Sequence, residues 1–590
     1  MGPSSTELLR AGAPIRAAPV ASIFASTLTG GIGNKGRLPW RLKEDLESFE
    51  RITKTVGKDP NGMPNGVIMG RKTWDSIPTS PLKDRINCVV TSHPDDLLGK
   101  NQFAKTSQNT KLDPSNTPSA RSTGPKTGPT TSTYGADLRG SLLLRLPFVN
   151  RLTGMGRVTI DHSAFPLAVK SLQEGLNRLR NCSTIYITGG AGLYNMSHEA
   201  QIADYIIWTR VCGEKIATDV HVDLALLEKN YECLGVSKTK GSGRYTFDVA
   251  VLRKKGQDNI NKEYEAQLSN FIRGISVPVG RDTSFQTGLI GLQSAKEATF
   301  RFHDEYQYLD IMKDIVQSGV EMEDRTGVGT LSKFGALMRY DLSESFPLLT
   351  TKKVYWKGVV EELLWFLKGC TDGKKLAAKN VHIWDGNGTK EFLTKRGLGH
   401  RREGDLGPVY GFQWRHFGAD YVDCDCDYKG AGVDQVQTLL KDIKQDPVSR
   451  RHIISAWNPA ALKDMALPPC HVLSQFVVDP MRKEISCALY QRSGDWGLGI
   501  PFNIASYSLL CYIIGHLTGY KPKEFVHFVA NAHVYKNHLQ PLKEQFTRAP
   551  RPFPKVVINP DITDIDQLEF KDVKLIGYDP YPAIKMEMAV

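Results

Sequence analysis

The chain has 590 residues, of which 41% are hydrophobic and 23% are charged, and its formal net charge at pH 7 is +12. A single hydrophobic core stops growing at roughly 250 to 300 residues, so the length excludes a one-domain protein and predicts two large domains or three ordinary ones. The most apolar stretch, residues 504–517, is interrupted by polar side chains, which argues against a membrane span and predicts a core segment. The basic residues form no dense block, so nucleic acid is not expected as the main ligand, although a diffuse positive field also attracts small polyanions.

The ten cysteines show no spacing typical of a disulfide framework, and no zinc-ligand spacing surrounds Cys470. We therefore expect a reducing compartment, cytoplasmic localisation and no metal. Residues 1–20 have a faint transit-peptide composition and formally satisfy a myristoylation pattern. We interpret them as a disordered tail rather than as a mitochondrial targeting segment.

Short β-branched runs bounded by Gly, Pro or Asn predict buried strands at residues 21–28, 66–69, 85–91 and 184–188. Between them, Leu42, Leu46 and Phe49 fall on one helical face, and residues 166–179 repeat a helical pattern. Strands that alternate with helices predict an α/β domain with a mostly parallel central sheet over residues 21–254.

Two further segments interrupt or follow this domain. Residues 104–133 are rich in Ser, Thr, Pro, Asn and Gly, which predicts a disordered surface insertion. Residues 255–299 form a junction, and the second domain follows at residues 300–590. An apolar stripe at helical spacing, ending before Gly274, predicts a short helix in the junction: Tyr264, Leu268, Phe271 and Ile272. We hypothesise that this helix docks on the N-terminal domain; packing within its own domain is an equal alternative.

The N-terminal domain contains residues suited to a nucleotide cofactor and a cationic heterocycle. A glycine turn at residues 31–33 leads to Asp45, which lies beside apolar Leu46 and Phe49. A carboxylate facing an apolar pocket can pair with an amidine-like edge of a heterocycle and deliver a proton, although Asp45 alone would be interpreted as a surface charge. Glycine-containing turns at residues 69–74 and 189–194 follow predicted strands and precede helical patterns, where backbone N–H groups can hold phosphates.

The C-terminal domain contains a candidate nucleophile among arginines. Cys470 follows two prolines and precedes His471, and Arg325, Arg450-Arg451 and Arg492 stand elsewhere in this domain. Nearby guanidinium groups lower a thiol pKa and also suit a phosphate, whereas Cys470 alone would be interpreted as a buried structural cysteine. The Asn503 side chain offers the donor and the acceptor that uracil O4 and N3 require.

Residues 21–254 resemble dihydrofolate reductase. The resemblance rests on these motifs: Ile23-Phe24-Ala25, Gly31-Ile32-Gly33, Leu38-Pro39-Trp40, Met69-Gly70-Arg71-Lys72-Thr73-Trp74, Ser76-Ile77-Pro78, Pro81-Leu82-Lys83-Asp84-Arg85-Ile86-Asn87 and Ile187-Thr188-Gly189-Gly190. It implies that Asp45 orients dihydropterin and relays a proton to N5 while NADPH delivers hydride to C6. Thr209 would support Asp45, and Arg85 would grip the glutamate carboxylate.

The same resemblance implies two sets of contact residues. Folate contacts would come from Ile23, Phe24, Asp45, Leu46, Phe49, Ile77, Leu82, Arg85, Thr188 and Thr209. Cofactor contacts would come from Ala25, Ile32, Gly33, Gly36, Leu38, Gly70, Arg71, Lys72, Thr73, Thr91, Ser92, Gly189, Gly190, Ala191, Gly192, Leu193 and Tyr194. The sequence Thr91-Ser92-His93 lacks the arginine that often binds the NADPH 2′-phosphate, so more of that contact would fall to Arg71.

Residues 300–590 resemble thymidylate synthase. The resemblance rests on Asp324-Arg325-Thr326-Gly327, Glu362-Leu363-Leu364-Trp365-Phe366-Leu367, Leu406-Gly407-Pro408-Val409-Tyr410-Gly411, Gln413-Trp414-Arg415, Arg450-Arg451, Pro468-Pro469-Cys470-His471, Gln491-Arg492-Ser493-Gly494-Asp495 and Pro501-Phe502-Asn503. It implies an α+β domain in which Cys470 adds to C6 of dUMP, and C5 then accepts a methylene from 5,10-methylenetetrahydrofolate. Glu362 would organise proton transfers, with Tyr410 and His471 in the surrounding network.

The contacts implied for dUMP are Arg325, Gln491, Arg492, Ser493, Asp495, Asn503, His533 and Tyr535, together with Arg450 and Arg451 from a second subunit. Trp384, Asn387, Asp495, Leu498 and Phe502 would contact the folate. Because the arginine pair belongs to the partner in this family, a homodimer is expected. The whole chain looks like the bifunctional family of protozoa and plants, with the reductase first. The competing hypotheses are a nonenzymatic folate- or RNA-binding protein and a chain in which one half is inactive.

Overall fold

The computed structural model describes residues 18–58, 63–78, 80–97, 166–256, 261–276, 301–324 and 326–588. Several predicted segments lie outside the described residues. They are the insertion at residues 104–133, residues 1–17 of the predicted tail, residues 257–260 and 277–299 of the junction, and Arg325. The chain divides into two compact units: Met1–Ser22 with Phe49–Ala203, and Ile23–Ser48 with Asp204–Val590.

The strands up to residue 256 are β1 (Val20–Thr27), β2 (Gly31–Gly33), β3 (Asn65–Gly70), β4 (Arg85–Val90), β5 (Leu167–Val169), β6 (Ile185–Gly189), β7 (Tyr205–Gly213), β8 (Val220–His221), β9 (Tyr231–Val236), β10 (Lys240–Ser242) and β11 (Tyr245–Lys254). The helices of the same region are α1 (Lys43–Thr55), α2 (Arg71–Ser76), α3 (Leu172–Arg178), α4 (Ala191–Glu199) and α5 (Leu224–Asn230). The four predicted strands are confirmed as β1, β3, β4 and β6.

The first unit contains a parallel sheet. The start of β1 pairs with β6, β6 pairs with β3, β3 with β4, and β4 with β5, all in parallel. The apolar strand residues Val67, Ile68 and Ile187 are fully buried, as expected of parallel strands covered on both faces. The two glycine turns therefore stand at the carboxyl ends of neighbouring strands.

One element prediction in this unit was wrong. Residues 166–179 were predicted to be helical throughout, but Leu167–Val169 forms β5 and pairs with Cys88–Val90 of β4. The helix begins only at Leu172, because the hydroxyl of Ser171 accepts the N–H of Glu174 and caps it there. Pairing with the end of β4 outweighs the local helical pattern.

In the second unit the strands before residue 256 pair antiparallel. β11 pairs with β7, β9 and β10, and β2 pairs with β8. Arg210 on β7 and Asp248 on β11 form a buried ion pair with two N···O distances of 2.7 Å, and Arg210 also donates to the carbonyl oxygen of Pro550 at 2.6 Å. The hydroxyl of Thr239 accepts the N–H of Phe553 at 3.1 Å, so these strands are tied to the C-terminal part of the same unit.

The predicted junction helix is confirmed as α6 (Lys262–Ser276). All four residues of its apolar stripe are buried. The ring of Tyr264 lies 5.0 Å from that of Tyr205 on β7, and the carboxylate of Glu265 accepts hydrogen bonds from Tyr205 and from Arg253 on β11, both at 3.2 Å. The helix thus packs on strands of the N-terminal domain predicted from the sequence, which supports the docking hypothesis.

The helices after residue 300 are α7 (Glu305–Ser318), α8 (Trp356–Leu367), α9 (Gly373–Ala377), α10 (Asp385–Gly388), α11 (Lys390–Lys395), α12 (Tyr410–His416), α13 (Gln435–Gln445), α14 (Gly499–Thr518) and α15 (Leu539–Phe546). Short 3₁₀ helices span Pro459–Asp464, Lys536–His538, Ile565–Gln567 and Phe570–Asp572. The strands are β12 (Val320–Met322), β13 (Thr330–Asp341), β14 (Ile453–Ser455), β15 (His471–Asp479), β16 (Glu484–Asp495), β17 (Lys521–Tyr535), β18 (Lys555–Ile558) and β19 (Val573–Ile576).

A six-stranded sheet forms the centre of this region, in the order β12-β13-β17-β16-β15-β14. Only β16 and β17 pair in parallel; the other neighbours are antiparallel. One face of the sheet packs on α14, a mostly apolar helix in which most residues are buried. Among the described residues α14 is the one helix long and apolar enough to cross a membrane, and 78% of its most apolar window is buried inside the protein. The prediction of a core segment at residues 504–517 is confirmed.

Candidate functional sites

The two glycine turns of the first unit are in direct contact. β3 ends at Gly70, which precedes α2, and β6 ends at Gly189, which precedes α4. A side chain at Gly189 would place its Cβ 2.2 Å from Cγ2 of Thr73, so only glycine fits here. Gly190 adopts φ +88°, a left-handed conformation that favours glycine. The glycines at these strand ends carry no side chains, so a phosphate can approach the backbone closely.

The other predicted cofactor residues of this unit lie on α2, after β4 and on α4. Arg71 is half-buried and forms an ion pair with Asp75 at 2.8 Å, whereas Lys72 is exposed. At the end of β4, Thr91 is buried and the Ser92 hydroxyl contacts the ring of His93 at 2.8 Å. On and before α4, Ala191 and Leu193 are half-buried, Gly192 is exposed and Tyr194 is buried.

Arg85 is the one predicted folate residue of this unit with a buried charge, at 4% exposure. Its guanidinium donates to the hydroxyl of Thr53 at 2.6 Å and to the carbonyl oxygen of Lys83 at 2.9 Å. Burial lowers the pKa of this arginine from its ordinary value, and the nearby acids oppose the shift. A buried guanidinium aimed by two fixed acceptors is suited to binding a carboxylate. Phe49, Ile77 and Leu82 are half-buried, and Thr188 is buried and donates to the carbonyl oxygen of Ile68.

Asp45 lies in the first turn of α1, within the second unit. Its carboxylate accepts a hydrogen bond of 2.6 Å from the hydroxyl of Thr209 on β7, as the resemblance implied. Loss of solvent around the carboxyl raises its pKa above the ordinary value, and the bond from Thr209 opposes this shift. A carboxyl with a raised pKa can carry and release a proton closer to neutral pH.

The remaining N-terminal residues of this unit differ in exposure. Ile23 and Phe24 on β1 are buried, and the Phe24 ring stacks at 6.3 Å on that of Trp208. Ala25 is half-buried, and Ile32 and Gly33 lie on β2, which pairs with β8. Gly36 follows in an exposed turn, and the side chains of Leu38 and Leu46 are 57% and 52% exposed. Exposed apolar side chains of this size are available to cover a ligand.

Cys470 immediately precedes β15 and is half-buried. Its backbone N–H donates to the hydroxyl oxygen of Tyr410 at 2.7 Å, and its carbonyl oxygen accepts the N–H of Arg492 at 2.9 Å. The guanidinium of Arg492 donates to the carbonyl oxygens of Pro469 and Pro468 at 2.8 and 2.9 Å. Cys470 and Arg492 are therefore neighbours through their backbones, and both prolines hold the Arg492 guanidinium in place.

Glu362 lies on α8 and is 8% exposed. Its carboxylate accepts the indole N–H of Trp384 at 2.8 Å. Burial raises the pKa of Glu362 to about 7, and the bond from Trp384 opposes this shift. The buried Tyr410 ring lies 6.1 Å from Trp384 and 5.1 Å from His471. An acid with a pKa near 7 can both donate and accept a proton at neutral pH.

The predicted base-binding residue Asn503 belongs to a buried polar chain. The Gln491 side-chain amide donates to the Asn503 carbonyl oxygen at 2.9 Å, and the Gln491 carbonyl oxygen lies 2.8 Å from Nε2 of His527. Burial lowers the pKa of His471 to about 4, and its contact with Asn503 opposes this shift. His471 is therefore a neutral imidazole at physiological pH.

Asp495 ends β16 and caps the loop that leads into α14. Its carboxylate accepts the N–H groups of Gly497 and Leu498 at 2.8 and 3.1 Å. Burial by itself would raise the pKa of Asp495, but His538 and these N–H groups outweigh it and hold the pKa below the ordinary value. His533 faces Asp495 in the register of β17 with β16.

The other predicted residues of the C-terminal domain fall into three groups. Ser493 is half-buried, and the ring of Tyr535 lies 5.3 Å from that of His533. Asn387 is buried with its amide nitrogen unpaired within the described part of the chain, and Phe502 and Leu498 are half-buried. Arg450 and Arg451 are exposed and make no ion pair with described residues.

Two residues of this region were missed in the sequence: His527 and His538. His527 stands six residues before the predicted His533 on the same strand, and side chains an even number apart share one face of a strand. That spacing could have pointed to His527. The contact between His538 and Asp495, at 3.7 Å, links residues 43 positions apart and leaves no local pattern.

One group of potential metal ligands exists among the described residues: Asp372, Cys424 and Asp425. The guanidinium of Arg402 donates to both carboxylates, at 2.9 Å to Asp372 and at 2.7 Å to Asp425. A built-in cation thus already neutralises this group. The Cys424-Asp425-Cys426 segment lies between the helices α12 and α13.

Both halves of the chain match families of known enzymes. The model of the thymidylate synthase family matches residues 306–590, and the model of the dihydrofolate reductase family matches residues 19–117. A thymidylate synthase of Equine herpesvirus 2 is 59% identical over 288 residues, which is 49% of this chain and 99% of the viral protein.

Two relatives match almost the whole chain. A bifunctional dihydrofolate reductase-thymidylate synthase of Zea mays is 41% identical over 576 residues, 96% of each chain. A protein of the same name from Paramecium tetraurelia is 39% identical over 569 residues, 96% of this chain and 98% of the relative. The chain therefore belongs to the bifunctional dihydrofolate reductase-thymidylate synthase family, and its two activities are the reduction of dihydrofolate and the methylation of dUMP to dTMP.

Proposed function

We propose that Cys470 is the nucleophile of dUMP methylation. Its thiolate adds to C6 of the uracil, and the electron pair displaced to C5 attacks the methylene carbon of 5,10-methylenetetrahydrofolate. The observation that carries this proposal is the double anchoring of the Cys470 backbone by Tyr410 and by the backbone N–H of Arg492, which fixes the position of a partly accessible residue. Addition to C6 requires an oriented thiol that the substrate can reach.

Glu362 organises the proton transfers of this reaction. Its pKa of about 7 leaves it half-protonated at neutral pH, so one group can both deliver and receive a proton. Asn503 binds the uracil edge, and Arg492 and Ser493 bind the phosphate together with Arg325. His533 and Tyr535 hold the ribose. The folate cosubstrate is bound by Trp384, Asn387, Leu498 and Phe502.

Asp45 protonates N5 of dihydrofolate through water and orients the pterin. Its raised pKa and its hydrogen bond from Thr209 support this assignment, because the carboxyl must hold a proton until the pterin takes it. Arg85 binds the glutamate carboxylate of the substrate.

When NADPH is bound, it supplies the hydride for C6 of dihydrofolate. The bare turns after β3 and β6 fit its phosphates, since a side chain at Gly189 would overlap Thr73. Gly70, Thr73 and Gly190 offer backbone N–H groups there, and Arg71 supplies positive charge.

The protein acts as a homodimer through the sheet β12–β17. This sheet carries apolar side chains that are exposed in the single chain: Phe334 (86% exposed), Val477 (59%), Ile453 (43%) and Tyr490 (39%). An exposed apolar patch on a sheet marks an interaction surface. Arg450 and Arg451 are exposed and available to bind the phosphate in a partner's site. Cytoplasmic localisation remains our prediction.

The two assignments are tested separately on the purified full-length protein. Cys470→Ala should abolish dUMP methylation and leave NADPH oxidation with added dihydrofolate unchanged; Asp45→Asn should do the reverse. Cys511→Ala, a buried cysteine in α14, and Glu44→Gln, the exposed neighbour of Asp45, are matched controls that should retain both activities. A Cys470→Ala protein that still methylates dUMP contradicts the assignment of the nucleophile. A parent protein that lacks one of the two activities favours an inactive half.

The homodimer has its own test. Mixing equal amounts of Cys470→Ala chains and chains that carry Arg450→Ala and Arg451→Ala should restore activity, because every mixed dimer contains one intact site. Unmixed samples should stay inactive. Light scattering of the parent should give about 131 kDa, twice the chain mass of 65.6 kDa; a monomer that is fully active excludes the shared site.

A further inference from the structure

Three buried side chains from three elements form a continuous hydrogen-bonded chain that ends at the proposed base-binding residue. His527 on β17 is fully buried, Gln491 on β16 is 2% exposed, and Asn503 on α14 is 8% exposed. Nε2 of His527 lies 2.8 Å from Oε1 of Gln491, and Nε2 of Gln491 lies 2.9 Å from Oδ1 of Asn503. The chain of contacts therefore runs from the interior of the sheet to the base.

The direction of each hydrogen bond in this chain is determined. The Gln491 amide nitrogen also donates to the backbone carbonyl of Ser493 at 2.9 Å, and a carbonyl can only accept. The other end of the Gln491 amide is thus its oxygen, so Nε2 of His527 must carry a proton and donate it. The donating Gln491 nitrogen in turn requires an acceptor, which makes the facing atom of Asn503 its carbonyl oxygen.

The protonation state of His527 supports this pattern. Burial, with a smaller contribution from the neighbouring His471, lowers its pKa to about 3. The imidazole is neutral and has one N–H, and Nδ1 has no hydrogen-bond partner among the described residues. Its single N–H, at Nε2, holds the Gln491 amide in the orientation that the Ser493 carbonyl sets.

The orientation of the Asn503 amide distinguishes two pyrimidines. Uracil presents an acceptor at O4 and a donor at N3, whereas cytosine presents a donor at N4 and an acceptor at N3. With its oxygen held by Gln491 and in contact with His471, Asn503 is left with its NH₂ group to donate to O4 of the base. A reversed amide would accept from the cytosine amino group instead.

We infer that His527 is a positioning residue that, together with the Ser493 carbonyl, holds the amide orientation of Asn503 through Gln491 and thereby strengthens the selection of uracil over cytosine nucleotides at the synthase site. The inference rests on the proposed placement of the dUMP base at Asn503. His527 touches no substrate, and it acts only through the two amides.

The test compares side chains of similar shape with and without a donor at position 527. His527→Met and His527→Phe cannot donate to Gln491, whereas His527→Gln can. On the full-length protein one measures kcat, the KM for dUMP and the inhibition constant of dCMP as a competitor of dUMP. His516→Phe is the control, because that imidazole donates to the carbonyl oxygen of Ile562 at 2.8 Å, away from the polar chain.

We expect His527→Met and His527→Phe to lower the ratio of the dCMP inhibition constant to the dUMP KM by about tenfold, the worth of roughly one hydrogen bond. His527→Gln should keep the ratio within about twofold of the parent value, and His516→Phe should leave it unchanged while lowering the melting temperature. If His527→Phe does not fold, the Met and Gln variants decide the question by themselves. Equal ratios in the Met, Gln and parent proteins overturn the inference.

Asn503→Leu separates this inference from the proposal beneath it. If Asn503→Leu removes the preference for dUMP while His527→Met retains it, the base placement holds and only the role of His527 is wrong. If Asn503→Leu retains the preference, the base does not lie at Asn503, and both statements are wrong.

Discussion

Replacing Glu362 by glutamine should stabilise the folded protein at high pH while abolishing its synthase activity. Burial raises the pKa of Glu362 from an ordinary 4.5 to about 7, so the folded protein resists ionising this carboxyl. The difference of about 2.5 pH units corresponds to about 3 kcal/mol at roughly 1.4 kcal/mol per unit. Glutamine has the same shape, carries no charge and can still accept the indole N–H of Trp384.

The sign follows from the order in which the two states ionise. Below pH 4.5 the carboxyl is protonated in both the folded and the unfolded chain. As the pH rises toward about 7, the unfolded chain ionises first and the folded parent loses stability, whereas the glutamine variant does not. We therefore expect Glu362→Gln to be more stable than the parent by about 1 kcal/mol at pH 5 and by about 3 kcal/mol at pH 8.

Urea unfolding followed by tryptophan fluorescence at these two pH values measures the effect, and dUMP methylation should fall by about 10² to 10⁴ in parallel. Glu361→Gln, at the next position of α8, is the control. The Glu361 carboxylate pairs with Lys379 at 2.6 Å, so its neutralisation should bring no gain that grows with pH. A stability difference between Glu362→Gln and the parent that is the same at both pH values would refute the argument from burial.

Three further changes test other parts of the sites. Arg492→Lys keeps the charge but loses the forked bonds to two proline carbonyls, and kcat/KM for dUMP should fall about 100-fold, whereas an unchanged value would show that charge alone suffices. Thr209→Val removes a bond that lowers the pKa of Asp45, so the pH profile of NADPH oxidation should move upward by about one unit; a downward move contradicts the assignment. Gly189→Ala places a Cβ 2.2 Å from Cγ2 of Thr73 on α2, so it should lower the free energy of unfolding by about 1 to 3 kcal/mol and abolish most NADPH binding. Gly192→Ala is the control, because the space around Gly192 is open. It should change neither the thermal unfolding nor the NADPH titration.

The elements that the sequence predicted correctly are those in which the local pattern agrees with burial. The strands β3 and β6 are short, apolar and ended by glycine, and α6 buries all four residues of its predicted stripe. The failure at residues 166–179 has a different cause. Leu167–Val169 pairs with β4, more than 70 residues earlier, and no local pattern reports such a partner.

The candidate sites divide in the same way. Cys470, Asp45 and Glu362 were recognised from motifs, and the hydrogen bond from Thr209 to Asp45 was implied by the resemblance before the structure placed it at 2.6 Å. What no motif could give is the environment of each group. The pKa of Glu362 depends on the burial of α8, and the role of His527 depends on a partner that lies 36 positions away in the chain.

The buried contact between Arg210 and Pro550 has a practical consequence for inhibitor discovery. A reductase fragment that stops after β11 would retain the bonds from Arg210 to Asp248, but the Pro550 carbonyl that accepts a further N–H of the guanidinium would be left on the discarded piece. Water would take its place beneath β7, the strand that also carries Thr209, the partner of Asp45. Inhibitor affinities measured on such a fragment would refer to an altered environment of β7, so screening should use the intact polypeptide.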